Sequence, residues 1–382
     1  MPSNTIKSVL MGVLLGPVLI LACMYFLFWN EGRAVQTAQS LDEGQAAVIS
    51  VDAGNVDPTR EGALVHFSGP VETDDRLRDP EFPLERQALA LRRHVEMYQW
   101  QEREDKQSDN DSNQTVYTYR TEWSSDAIDS SRFERTQGHE NPPMPYDNHV
   151  VRAENVNLEA YQLTTRFINQ LDNFNDVALD ERFLTNVRNT QQGEFQLDRN
   201  RLFRGSNPAN PQVGDVRISF AIIEPYRVSV IGQQSGSNLG GYQTNAGDVL
   251  NLLYPGHLTA DEMFERAHQE NQALTWAIRV AASMGVFIGF VMFLGPISYV
   301  ARFIPLVGPM IIMAKKLVAG ALTFVLAGST IAVAWVFYRP LIGIPLLLLF
   351  IGIGVVMFRM ANKNAKEAEA ATGISPDAHR TP

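Results

Sequence analysis

The chain has 382 residues, 45% of them hydrophobic and 19% charged, with 42 acidic against 32 basic residues and a formal net charge of −10. This acidity opposes the arginine and lysine patch that nucleic-acid phosphates require, so nucleic acid is not an expected partner. The single cysteine, Cys23, lies inside a hydrophobic run, which excludes a disulfide framework, a thiolate zinc cluster and a cysteine nucleophile from the polar part of the chain.

The first hydrophobic run, Ser8 to Trp29, is about 22 uncharged residues, enough at ~1.5 Å per residue to cross a hydrocarbon core ~30 Å thick. It is too long for the apolar core of a signal peptide, and it ends at Phe28, Trp29 and Asn30 rather than at small residues. It therefore reads as an uncleaved anchor, with a kink expected at Pro17.

Roughly 240 polar residues follow, enough to enclose a core of their own. Leu91 to Gln101 and Gln114 to Trp123 are rich in aromatic and β-branched residues and flank a polar tract from Glu102 to Asn113, the pattern of a β-hairpin with a long, mobile tip. Further strands are expected at Gly62 to Gly69, Gly193 to Phe203, Asp215 to Ile223, Tyr226 to Gln233 and Asp248 to Tyr254. Between these sets, Leu158, Tyr161, Leu163, Phe167, Ile168 and Leu171 recur at a helical spacing. Gly232 to Gly241 lacks the lysine and hydroxyl ending of a phosphate loop and reads as a flexible hairpin loop.

A helix should begin at Ala260. Thr259 and Glu262 hold the capping-box spacing, Leu258 and Met263 the hydrophobic-staple positions, and no breaker follows until Gly285. Such a helix would run straight into the second span, Val280 to Val300, as a rigid stalk. The third span is expected at Leu317 to Tyr338 and the fourth at Leu341 to Phe358. From Gly295 to Pro309, three prolines and two glycines argue against regular helix and suggest an interfacial or re-entrant connection. With an even number of spans both termini share one side, which collects Lys7, Arg302, Lys315, Lys316, Arg359, Lys363 and Lys366, against Arg33 and Arg339 opposite. By the positive-inside rule that side is cytoplasmic.

The expected fold is therefore an α+β membrane protein with about four transmembrane helices and a large strand-rich domain inserted between the first and second. Its expected parts are a cytoplasmic N-terminus and first span over 1–30, an extracytoplasmic β-rich domain over 31–257, stalk and spans over 258–358, and a cytoplasmic tail over 359–382.

Candidate sites are few. His94 and His139 are the conspicuous polar residues, but without a GxSxG elbow, an HExxH helix or a second histidine at i+4, neither points to catalysis or to a metal, and no cofactor is implied. Asn110 and Asn113 head sequons, which matter only in a eukaryotic lumen. Arg279, at the entrance to the second span, is expected to snorkel to the interface. Glu31 and Arg33, immediately outside the first span, are expected to hold a structural pair that orients stalk and domain. Small residues in the third span, Gly320 and Gly328 among them, allow close helix approach; they are expected either to form an association surface for a second copy or for other membrane proteins, or to serve packing within the protein's own four spans through the short third-to-fourth hairpin.

Several strings carry a family resemblance: Asn-Glu-Gly-Arg-Ala at 30–34, Leu91 to Trp100, Thr-Glu-Trp at 121–123, Gly-His-Glu-Asn-Pro at 138–142, Val213 to Phe220, and Phe-Tyr-Arg-Pro-Leu at 337–341. Together and in this order they resemble the LUMA, or transmembrane protein 43, family. The resemblance implies a four-pass protein with one large lumenal domain and a non-enzymatic role as a scaffold for membrane organisation and protein complexes, in animals at the endoplasmic reticulum and inner nuclear membrane with nuclear-envelope partners. It implies no catalytic residues. In a bacterium the same topology would place the chain in the inner membrane with a periplasmic domain. The alternative from another class is a membrane-bound hydrolase or lipid-modifying enzyme with an extracytoplasmic site; a transporter is disfavoured by the small number of spans and scarce intramembrane charge.

Overall fold

The computed structural model describes residues 2–109, 112–301, 308–341, 343–345, 348–349, 351–356 and 358–360, with backbone alone at 2–9, 106–109, 112–114 and 308–309. Asn110, Arg302, Pro305, the side chain of Asn113, parts of the expected fourth span and the tail beyond Met360 lie outside the described residues.

The principal helices are α1 (Pro2–Ala47), α2 (Thr165–Ile168), α3 (Glu181–Thr190), α4 (Ala260–Phe293), α5 (Gly295–Ala301) and α6 (Gly308–Tyr338), and residues 351–356 are helical as well. The strands are β1 (Ile49–Ser50), β2 (Leu64–Glu72), β3 (Arg76–Arg78), β4 (Glu85–Gln87), β5 (Ala90–Asp109) and β6 (Ser112–Ser124). They continue as β7 (His149–Arg152), β8 (Asn157–Leu158), β9 (Tyr161–Leu163), β10 (Asn175–Asp176), β11 (Phe195–Asp198) and β12 (Arg201–Arg204). The last are β13 (Val216–Ile223), β14 (Tyr226–Ser235), β15 (Asn238–Gly240), β16 (Tyr242–Gln243), β17 (Val249–Leu250) and β18 (Leu252–Pro255). The chain is thus α+β, and among the described residues three helices are long and apolar enough to cross a membrane: Leu10–Ala47, Ala260–Phe293 and Met310–Tyr338.

The chain divides into two compact units. One holds the residues up to Glu43, Thr244–Asp248 and the chain from Phe264; the other holds Gly44–Gln243 and Val249–Met263. Helix α1 does not stop at Asn30, where the first span was expected to end, but continues to Ala47 with Pro17 inside it. Residues 35–43 contain no proline or glycine and several strong helix formers, so nothing local ends the helix there.

The strand unit is built on two seven-stranded sheets. In the first, β2 pairs with β8, β8 with β9, β9 with β15, β15 with β14, and β14 back with β2, so five strands close a hydrogen-bonded circuit. Phe67 and Tyr161 stack inside it with ring centroids 4.3 Å apart. The second sheet has the order β11-β12-β13-β5-β6, with β10 beside β13 and β7 beside β5. The inward residues of both sheets form one core, in which Val95, Ile218, Leu202, Val230 and Leu239 are fully buried. Alternation along β13 and β5 places Ile218 and Val95 on the core face and turns residues such as Arg217, Ser219, His94 and Glu96 to the other. Arg93 is also buried, its charge met by Asp79 and Glu81 at 2.6 Å each and its Nε donating to the carbonyl of Asp147.

Three local expectations need correcting. The hairpin of β5 and β6 has no long tip, because the ladder continues through the polar tract to Asp109 opposite Ser112; backbone pairing needs no apolar side chains. Residues 155–174 form no long helix. Their apolar residues are buried as expected, but by the short β8–β9 hairpin, with Glu159 at φ 53°, and the single turn α2. Gly295–Ala301 is helical despite Pro296, which stands in the first turn where its missing N–H costs nothing. In addition, Gly232 to Gly241 is mostly strand, closed by a tight turn at Gly236, φ 58°. Helix α3, absent from the sequence reading, is capped by Asp180, which accepts from the Phe183 N–H at 2.8 Å, and buries Phe183, Leu184 and Val187.

Candidate functional site

In the helical unit, the backbones of α1 and α4 touch. A Cβ on Gly16 would lie 2.7 Å from the Gly289 carbonyl oxygen and 2.9 Å from the Phe293 nitrogen, and a Cβ on Gly12 3.1 Å from the Met292 carbonyl oxygen. A Cβ on Gly285 would collide with the Cys23 sulfur. Low numbers on α1 meet high numbers on α4, so the two helices run antiparallel. These glycines form two Gly-x-x-x-Gly pairs, 12/16 and 285/289, a signal readable in the sequence that the emphasis on the third span passed over. Helix α6 joins along α1 in parallel: Leu27, Ala282 and Ala327 form a buried cluster, and Phe28 meets the rings of Phe337 and Tyr338 at 5.9 Å.

This close approach brings one short stretch of α1 against both partners. Glu31 is 1% exposed and accepts two hydrogen bonds from Arg279 of α4, Nε to Oε1 at 2.6 Å and Nη2 to Oε2 at 2.7 Å. Trp335 of α6 donates its Nε1–H to the same carboxylate at 2.5 Å. The Arg279 guanidinium also lies 4.7 Å from the Trp276 ring centroid and 5.8 Å from that of Trp335. One residue earlier, buried Asn30 donates to the Thr275 carbonyl at 3.1 Å. A Cβ on Gly32 would sit 2.6 Å from the ring of Tyr338. Arg33 donates to Asn271 at 3.0 Å, Thr275 Oγ1 at 2.9 Å and Asn30 at 3.3 Å, while Asn271 returns a bond to the Ala34 carbonyl at 3.0 Å. Every residue of the Asn-Glu-Gly-Arg-Ala string therefore has a partner on α4 or α6.

Glu31 and Arg33 do not pair with each other as expected; their partners are Arg279 and the amide and hydroxyl groups of α4. Nor does Arg279 snorkel, since only 15% of its side chain is exposed and its charge is spent on Glu31. A buried carboxylate of this kind is tolerable because its charge is met by a bidentate arginine and both its oxygens accept hydrogen bonds, Oε2 a second one from the indole.

Farther along α1, Gln36 and Thr37 donate to Asp248 at 2.7 Å each, and Glu43 accepts from Asn245 through both its backbone N–H, at 3.0 Å, and its amide, at 2.9 Å. The segment 244–248 is thereby clamped to this helix.

Beside the Glu31 pair, a polar cavity of about 160 Å³ meets a larger apolar groove of about 720 Å³, the two sharing Trp276, Arg279 and Trp335. The groove lies between α4 and α6 and is lined by Val280, Met284 and Phe287 on one side and by Gly320, Thr323 and Gly328 on the other. Among the described residues, the nearest neighbour of Gly320 would stand 4.0 Å from an added Cβ, so none of them packs closely on it.

The other sequence candidates lie in the strand unit. Thr259 and Glu262 form both arms of a capping box: the Thr259 N–H donates to Glu262 Oε2 at 2.7 Å, and the Glu262 N–H to Thr259 Oγ1 at 3.3 Å. The Thr259 N–H, and the Thr259 hydroxyl donating to the same Oε2 at 2.9 Å, hold the Glu262 carboxyl below its usual range. His139 stacks on Tyr119 at 3.9 Å and meets the Trp100 edge at 4.7 Å, while Asn141 of the same string bonds both backbone groups of Trp100. That string is a packed strand cover. His94 is half exposed on the outer sheet face, 4.0 Å from Glu96. Burial pushes the Glu96 carboxyl up, but hydrogen bonding and charge from Arg217 outweigh it and hold the group below the usual range. Among the described residues no group of three His, Cys, Asp or Glu side chains is placed to hold a metal ion.

Three long apolar helices held together by glycine contacts and by a buried acid–arginine–tryptophan cluster define an integral membrane protein. The chain belongs to the transmembrane protein 43 family, whose model matches residues 97–340. Transmembrane protein 43 of Homo sapiens is 34% identical over 346 residues, which cover 86% of this chain and 85% of that protein. The Mus musculus protein is 35% identical over the same length and coverage. The Transmembrane protein 43 homolog of Drosophila melanogaster is 32% identical over 359 residues, 91% of this chain and 94% of that one. No solved structure matches the chain.

Proposed function

We propose that the protein is a non-enzymatic, multi-pass membrane scaffold whose α4–α6 groove docks a transmembrane helix of a neighbour, either a second copy or another membrane protein. The groove carries this reading. Its floor at Gly320 and Gly328 lacks side chains, and among the described residues none packs closely on Gly320. In lipid, where no hydrophobic force drives helices together, such bare surfaces are where backbones approach. The cluster around Glu31 keeps the groove's walls at a fixed spacing. Nothing in the relatives, or in the placement of His94 and His139, favours the hydrolase alternative.

The topology that goes with this reading has four spans, with Leu341 to Phe358 as the fourth, both termini cytoplasmic and the strand-rich domain periplasmic or lumenal. The up-down-up order of α1, α4 and α6 supports it, as does the basic flank at Lys7, Lys315 and Lys316. In a Cys23→Ser background, an impermeant thiol reagent applied from the extracytoplasmic side should label Ala209→Cys and spare Ala365→Cys; the reverse pattern would refute the topology. For the groove, Gly320→Leu with Gly328→Leu should remove crosslinked oligomers or partner complexes in native membranes while the monomer stays folded. Complexes persisting in full would show that association occurs elsewhere.

A further inference from the structure

The outer face of the second sheet carries a polar cleft of about 570 Å³. The strand register assembles it. Ser219 stands opposite His94 and Ala221 opposite Arg92, while Asp176 pairs with Ala221 from the other side. Leu202 opposes Ile218, so the next residues along, Arg201 and Ser219, meet in the same row as His94. Residues two apart on a strand share a face, which brings both rows to one surface. The β11–β12 hairpin adds Arg199 at its turn, between the paired Asp198 and Arg201.

Two observations separate this cleft from an ordinary solvated sheet face. Arg92, Arg199 and Arg201 all line it, and among the described residues none of them donates a side-chain hydrogen bond to protein or forms an ion pair. Arg92 is positioned instead by the ring of Phe174, 4.1 Å from its guanidinium. Arg93, Arg152, Arg188 and Arg217 spend their donors on protein groups; Arg78, Arg182 and Arg227 are, among the described residues, as unpaired as the cleft arginines, but line no cleft with one another, so the distinguishing feature is the convergence of three such guanidiniums on one cleft. The second observation is the backbone of Arg199, at φ 55°, in the left-handed region that the first position of a two-residue hairpin turn reserves for glycine. Strain kept at a residue lining a cleft points from geometry to function. The turn is held by Asn200, whose Oδ1 accepts from the Leu179 N–H at 3.0 Å.

Three free guanidiniums match a phosphate group, for which their planar forks are suited. Asp176 and Asp198, on the same cleft, would repel an extended polyanion but accept hydrogen bonds from hydroxyl groups. The volume falls within the ordinary range of small-ligand sites. We propose that this cleft binds a small polyol phosphate ester, Arg92, Arg199 and Arg201 holding the phosphate and Asp176 and Asp198 the hydroxyls. The ester is either a free metabolite or the headgroup of a lipid such as phosphatidylinositol, since the two present the same chemistry.

The test uses the full chain in phosphatidylcholine nanodiscs, titrated calorimetrically with myo-inositol 1-phosphate, inorganic phosphate and myo-inositol. The phosphate ester should bind saturably, at least tenfold more tightly than inorganic phosphate and more weakly as salt is raised, whereas neutral inositol should give no measurable binding. Arg92→Gln with Arg201→Gln should weaken binding at least tenfold, and Asp176→Asn should narrow the preference for the ester over inorganic phosphate. Arg199→Gly keeps the proposal falsifiable if the double variant misfolds: glycine relieves the left-handed backbone, so the melting midpoint should hold or rise while binding falls. Flotation of the nanodiscs with phosphatidylinositol-containing vesicles would assign the lipid source; soluble binding without flotation would assign the free ester. Absence of saturable ester binding by the wild type, or undiminished binding by both arginine variants, would overturn the site. Equal affinity for inorganic phosphate would overturn its polyol character.

Discussion

Replacing Glu31 by glutamine keeps the side-chain shape and removes one charge and one acceptor. Arg279, 15% exposed, would then hold its charge against Trp276 and Trp335 with no counterion, and its two donors would compete with the Trp335 N–H for a single amide oxygen. Removing one partner of a buried pair costs about 3–5 kcal/mol, because the other charge stays desolvated. Arg279→Met alone should cost a similar amount by stranding Glu31, which is 1% exposed. The double variant removes both charges and should be less destabilised than the two single variants summed, by about 1–3 kcal/mol of coupling. Unfolding midpoints in mixed micelles, read by tryptophan fluorescence for the four proteins, give the cycle. A Glu31→Gln protein as stable as the wild type, or strictly additive losses, would show that the pair stabilises nothing.

Gly16→Ala should destabilise the helical unit by about 1–3 kcal/mol, because the methyl group meets backbone atoms of α4, whereas Gly320→Ala should stay within about 0.5 kcal/mol; thermal midpoints in detergent that rank the two the other way would contradict the α1–α4 packing. His66 is buried between Ser50 and the Leu258 carbonyl; burial lowers its pKa below 6.5, and the Leu258 bond opposes that shift only in part. The unfolded chain therefore binds the proton more readily, so stability is intact above about pH 6.5 and falls as pH drops toward the folded value. His66→Gln should flatten melting temperature between pH 6.5 and pH 5, and an unchanged slope would assign the dependence to other groups. Thr259→Ala removes one arm of the capping box and should cost about 1 kcal/mol at the start of α4, read as faster amide exchange at 260–263; unchanged exchange would count against the cap.

The parts of the fold that could be read from sequence are those whose causes are local. Long apolar runs, the Thr259–Glu262 box and the alternating strands at β5, β13 and β14 each depend on neighbours within a few residues. Residues 155–174 misled because Leu158, Tyr161, Phe167 and Leu171 satisfy a helical period while their burial comes from separate pieces; Glu159 in the left-handed region breaks the run, and no glycine announces it. Asn-Glu-Gly-Arg-Ala stood out as a string, but Glu31 and Arg33 suggested each other because they lie only two residues apart. Their true partners, Arg279, Asn271 and Thr275, are set by the antiparallel docking of α1 on α4. That docking was foreshadowed by Gly12/Gly16 and Gly285/Gly289, the only local trace of a long-range contact. The arginine cleft had no sequence signal, since Arg92 and Arg201 meet only across the register of β5, β13 and β12.

The separation of Glu31 from its partners also has a consequence during synthesis. Arg279 follows it by 248 residues and Trp335 by 304. At about 5–20 residues per second, roughly 12–50 s pass between translation of the acid and that of its arginine. The first helix is thus made carrying an unanswered carboxylate just past its apolar run, and a chain cut short before α4 never answers it. Such a stranded charge is a built-in mark of incompleteness, displayed by every nascent or truncated copy and erased only when the later helices arrive.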